Sequence, residues 1–213
     1  MIMDMHQHCL DGSINIDTGI CFPVLILIDT SGSMGEYHPQ IVENSVNSFL
    51  MRIGKYKLID KFVDVCLYES HDEFEYLAGF GNPSNYVVKG IRYGGKWNLI
   101  EDFIRAINVI QDTIRLYNRT GKAFAGSLII VLSDNLVPDE IEISSDFVEV
   151  NNNKNNALSL PKCLFLTSKE NNDFVNYYDN MELKPASKES LQKCMIEIAD
   201  DIIDVVRSAN SMG

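Results

Sequence analysis

The sequence predicts an α/β fold: a doubly wound, mostly parallel central sheet with one antiparallel edge strand and helices on both faces. Three observations carry that expectation. Two short, unbroken apolar runs, 22–28 (Phe-Pro-Val-Leu-Ile-Leu-Ile) and 128–132 (Leu-Ile-Ile-Val-Leu), have the character of strands buried on both faces. Between them lie segments in which apolar residues recur with the period of a helix. Strands alternating with helices imply a parallel sheet covered on both sides.

Taken in order, residues 1–12 read as a leader and 13–20 as a short edge strand, so that 1–20 precede a single domain over 21–208, with 209–213 as a tail. The run 22–28 is the central strand. A helix follows, marked by Ile41, Val42, Ser45, Val46, Phe49, Leu50 and Ile53, and Gly54 closes it. Residues 62–68 form a strand, 74–80 its hairpin partner, and His71-Asp72-Glu73 the turn between them. Gly94-Gly95-Lys96-Trp97-Asn98 is a loop that opens an amphipathic helix through Leu99, Phe103, Ile104, Ile107, Ile110 and Ile114, ending near Gly121. After strand 128–132 comes a polar stretch, 137–160, with an Asn-rich tract at 151–156. Residues 163–166 are a further strand, 173–178 a short helix, 181–183 an edge strand, and 187–208 a closing helix with Leu191, Met195, Ile198, Ile202 and Val205 on one face.

Composition narrows the function. The chain has 213 residues and a formal charge of -12. A nucleic-acid partner is not expected, because phosphate binding needs clustered Lys and Arg. No apolar run is long enough to cross a bilayer. The five cysteines, Cys9, Cys21, Cys66, Cys163 and Cys194, are odd in number and widely spaced. With no basic-then-apolar leader at the amino terminus, they point to a reducing, cytoplasmic setting without disulfides.

The chemistry concentrates where the first buried strand ends, in Asp29-Thr30-Ser31-Gly32-Ser33-Met34. In open α/β sheets, ligands bind at the carboxyl ends of strands. One carboxylate and two hydroxyls at alternate positions are hard oxygen ligands, suited to Mg²⁺ rather than to zinc or copper. The second buried strand also ends in a carboxylate, Asp134.

With these residues the chain resembles the von Willebrand factor A domain. The family's Asp-x-Ser-x-Ser motif is matched by Asp29, Ser31 and Ser33, and its later Asp by Asp134 in Leu132-Ser133-Asp134-Asn135. Asn135 stands where the family usually has Gly, and Asn tolerates positive φ. The resemblance covers about residues 20–208 and implies a metal-ion-dependent adhesion site: a divalent cation, Mg²⁺, held by Asp29, Ser31, Ser33 and Asp134, and completed by a carboxylate from a partner protein. The departure lies in the middle motif. The family's Gly-Gly-Thr, whose Thr is a ligand, is here Gly94-Gly95-Lys96. Lys96 either reaches in to neutralise the two carboxylates in place of the metal, or faces outward and leaves the position to water. Within the family the chain looks most like intracellular bacterial members of the TerY type, associated with tellurite resistance.

Other chemistries fit less well. Asp17-Thr18-Gly19 imitates an aspartic-protease triplet, but helical periodicity argues against a β-rich lobe. A haloacid-dehalogenase-type phosphatase would need a second Asp where Ser31 stands. His6, His8 and Cys9 lie in the leader. No motif places a His, Glu or Lys as a general base. The expectation is therefore a non-enzymatic binding module. A metal-free scaffold plugged by Lys96 is the alternative, and a metal-assisted hydrolase a distant third.

Overall fold

The computed structural model describes residues 19–72, 74–96, 99–134, 161–167 and 181–211. They form a six-stranded sheet flanked by helices on both faces. In chain order the elements are β1 (Phe22–Asp29), α1 (Pro39–Gly54), the short α2 (Lys57–Asp60), β2 (Val63–Ser70), β3 (Phe74–Gly81), α3 (Leu99–Thr120), β4 (Leu128–Leu132), β5 (Lys162–Thr167), β6 (Met181–Pro185) and α4 (Leu191–Ser211). The strand order is β3-β2-β1-β4-β5-β6. Every neighbouring pair is parallel except β2 with β3, so β3 is the antiparallel edge that the sequence predicts.

The alternation of side chains along β1 explains why the run is apolar throughout. Val24, Ile26 and Ile28 face one core, and Leu25 and Leu27 face the other. The first core is closed by α1, through Val42, Val46, Phe49, Leu50 and Ile53, and by α4, through Leu191, Met195, Ile198 and Ile202. The second is closed by α3, through Phe103, Ala106, Ile107, Ile110 and Ile114. A polar residue on either face of β1 would lack a hydrogen-bond partner in a dry layer.

Several details differ from the sequence reading. Helix α4 starts at Leu191 rather than 187 and runs to Ser211, because Ser187–Ser190 folds into its own turn, with Ser187 N–H donating to Ser190 Oγ at 2.9 Å. Val205 is exposed and Val206 is buried instead, since position 206 lies one turn on from the buried Ile202. Gly19 and Ile20 are not in a strand; Cys21 forms a single bridge to Phe124. The remainder of the expected edge strand, the leader, the tract 137–160 and the short helix 173–178 lie outside the described residues. The described cysteines, Cys21, Cys66, Cys163 and Cys194, are buried. Among the described residues, no helix is long and apolar enough to cross a membrane.

The topology selects one place on this sheet. The chain leaves β1 towards β2 and β3, then returns to lay β4 on the other side of β1, from which β5 and β6 continue outward. Direction reverses between β1 and β4. A crevice opens at such a switch point, beyond the carboxyl ends of the two strands.

Candidate functional site

Asp29 is the last residue of β1 and Asp134 lies two residues beyond β4, so both carboxylates belong to that crevice. Asp29 is fully buried. Its Oδ1 accepts from the Ser31 N–H at 2.8 Å and its Oδ2 from the Ser133 hydroxyl at 2.7 Å. The Ser31 and Ser33 hydroxyls lie 2.9 Å apart, and Ser33 Oγ donates to Asp134 Oδ1 at 3.2 Å. The four residues singled out by the Asp-x-Ser-x-Ser and Asp motifs thus make one continuous chain of oxygens. Ser31 is buried and Ser33 exposed, so the chain leads from the core of the sheet to its surface.

The backbone around these oxygens is fixed from several sides. A 3-10 turn, Gly32–Glu36, begins after Ser31, carries Ser33 and buries Met34. The Asp134 N–H points at Met34 Sδ at 3.1 Å, and the Asp134 carbonyl accepts from the Thr167 hydroxyl of β5 at 3.3 Å. Thr30 N–H donates to the Ser70 carbonyl of β2 at 2.8 Å. The Gly94-Gly95 loop is laced to the same turn: Gly94 N–H donates to the Thr30 carbonyl at 2.9 Å, and Gly32 N–H to the Gly95 carbonyl at 3.2 Å. Gly95 has φ of +67°, and a Cβ there would collide with the Asp72 carboxylate, which itself accepts from the Lys96 N–H at 2.9 Å. Glycine at 95 is therefore required twice, by conformation and by space.

Electrostatically, burial is the dominant influence on Asp29. Burial raises the pKa of Asp29 from 3.8 to about 6; hydrogen bonds from Ser31 and Ser133 pull it down, and the neighbouring Asp134 charge pushes it further up. Keeping Asp29 ionised at neutral pH therefore costs roughly 3 kcal/mol. Lys96 is exposed, and the charge acting on Asp29 from nearby is the like charge of Asp134. Two carboxylates and two hydroxyls converge here, a donor set of hard oxygens that fits a divalent ion such as Mg²⁺. Among the described residues there is no group of three or more His, Cys, Asp or Glu that would hold a metal by charged and imidazole ligands alone.

The structure also brings in residues that the motifs did not single out. Ser133 binds Asp29 directly, and its only sequence signal is its place beside Asp134. Tyr93 packs against the core formed by α1 and α4, and its hydroxyl is buried without a hydrogen-bond partner among the described residues. Asn135, Trp97 and Asn98 lie outside the described residues.

Comparison with solved structures places this architecture. The PilB minor pilin from Streptococcus sanguinis superposes with a TM-score of 0.63 at 11% identity, over 90% of this chain and 63% of that one. A von Willebrand factor type A protein from Catenulispora acidiphila gives 0.60 at 12% identity, over 87% of this chain and 43% of that one. The fold is that of a von Willebrand factor A domain. Proximal thread matrix protein 1 from the mussel byssus, in a structure whose metal-ion-dependent adhesion site is occupied by zinc, gives 0.53 at 10% identity, over 89% of this chain and 47% of that one. The chain thus spans less than two thirds of each of these proteins. No family model matches the sequence, and no curated protein matches it. At such identities the likeness speaks for the fold.

Proposed function

We propose that this von Willebrand factor A fold serves as a non-enzymatic interaction module that binds a partner protein through a divalent cation. Asp29, Ser31, Ser33 and Asp134 hold the ion, some directly and some through water, and a carboxylate of the partner completes its coordination. The observation that carries the reading is the convergence of two carboxylates, one of them fully buried, and two hydroxyls at the sheet's switch point. The matrix protein of the same fold, with zinc in its own metal-ion-dependent adhesion site, lends support. Mg²⁺ is the favoured ion because it binds few protein oxygens and retains exchangeable waters. The narrower setting, a bacterial stress or tellurite-resistance system in the cytoplasm, draws its support from the Asp29–Met34 string.

The second reading, a metal-free scaffold in which Lys96 fills the site, is disfavoured by the exposure of Lys96. Calorimetric titration with Mg²⁺, Mn²⁺ and Zn²⁺ tests the choice. Saturable binding that disappears in Asp29→Ala is expected. Absence of binding for all three ions would leave only the scaffold.

A further inference from the structure

One polar group beside the site has no task in the fold. The segment that carries Tyr93 is held in place on both sides: Ile91 N–H donates to Glu43 Oε1 at 2.9 Å, and Gly94 N–H to the Thr30 carbonyl at 2.9 Å. The Tyr93 ring packs on the core under α1 and α4. Its hydroxyl, at the end of that ring, is buried and has no hydrogen-bond partner among the described residues. Buried hydroxyls are nearly always paired in folded proteins. After burial itself, Asp29 and then Asp134 act most strongly on this phenol, and together they raise its pKa. The proton therefore stays on the oxygen, and the group offers one donor and two acceptor positions within electrostatic reach of both site carboxylates.

Lys96 follows Gly94-Gly95 and is exposed. Tyr93 precedes the same two glycines, on the same loop laced to Thr30 and Gly32. A Mg²⁺ ion that lacks one protein ligand keeps a water there, and ion-bound water presents its hydrogens outward to acceptors.

We infer that Tyr93 is a binding residue of this site: its phenol oxygen accepts a hydrogen bond from water carried by the bound divalent cation. The inference rests on the cation reading given above. It assigns the orphan hydroxyl a partner that arrives with the ion.

Tyr93→Phe removes that hydroxyl and keeps the ring. The experiment titrates Mg²⁺ and Mn²⁺ calorimetrically into wild type, Asp29→Ala and Tyr93→Phe, and records thermal melts of each protein in EDTA. The expected result is that Tyr93→Phe binds about tenfold more weakly than wild type, the scale of outer-shell losses at metal sites. Its metal-free melting temperature should be unchanged or raised, because the lost group was unpaired. Wild-type affinity in Tyr93→Phe, with Asp29→Ala inactive, would overturn this inference and leave the cation site standing. Weakened binding together with a lowered metal-free melting temperature would also overturn it, since packing would then be the cause. No binding to wild type would remove the inference along with the reading beneath it.

Discussion

Asp29→Asn isolates the charge at the centre of the site. The amide keeps the shape of the carboxylate, and its oxygen can still accept from the Ser31 N–H, as Asp29 Oδ1 does. What disappears is a buried negative charge facing Asp134. The folded pKa of about 6 lies above the value of 3.8 expected in the unfolded chain. The folded protein therefore binds more protons than the unfolded one between those values, and its stability falls as pH rises through them. Below pH 3.8 the penalty is absent. By pH 5 about half has accrued, and above pH 7 it levels off at roughly 3 kcal/mol. In EDTA at pH 7.5, Asp29→Asn should therefore be more stable than wild type by up to roughly 3 kcal/mol, with the gap closing towards pH 4. Urea denaturation followed by circular dichroism at several pH values measures it. Saturating Mg²⁺ should shrink or reverse the gap, because binding at a hundredfold excess over Kd stabilises wild type by about 2.7 kcal/mol and leaves the variant unaided. Equal stability of the two proteins at pH 7.5 in EDTA would refute the argument, for it would mean that the Asp29 charge is already compensated by the protein.

Two further outcomes follow from the loop beside the site. Because Lys96 is exposed, Lys96→Thr should raise Mg²⁺ affinity only modestly in a side-by-side titration with wild type; binding that emerges solely in the variant would show that the ammonium had been blocking the site. Gly95→Ala places a Cβ against the Asp72 carboxylate at a φ of +67°, so it should lower stability by about 1–3 kcal/mol in urea melts, and it should weaken cation binding by displacing the Gly95 carbonyl from the Gly32 N–H.

The fold was legible where burial on both faces left no choice of residue. In β1 and β4 each position must be apolar because both directions lead into a core, and unbroken runs of this kind are easy to read. Boundaries were less legible where hydrogen bonding decided them. The serines at 187 and 190 read as the first turn of a helix, yet they bond to one another and delay α4 to Leu191. The stripe on α4 was misjudged at Val205 because 205 and 206 both lie near the helical repeat from Ile202, and only packing distinguishes them. In the site, the motif residues were legible because each stands next to the end of a buried strand. Ser133 and Tyr93 were not, since a lone hydroxyl carries no pattern. Their significance comes from register and from a loop crossing, which bring positions 104 residues apart to 2.7 Å in the case of Ser133 and Asp29.

The charge of the whole chain bears on how the proposed module would work. At -12 the protein repels an approaching carboxylate, and the two site carboxylates do so at closest range. A partner group of that kind can dock only if a cation is already in place, so under the proposed function the ion is a precondition of recognition. Hydroxyl ligands suit that role. Two carboxylates are enough to neutralise a divalent ion, whereas a third from this chain would make the site anionic even when filled and would oppose the incoming group. Under the proposed function two site carboxylates are what a bridging site requires: enough charge to hold the ion, and a remaining position from which it still attracts an acid.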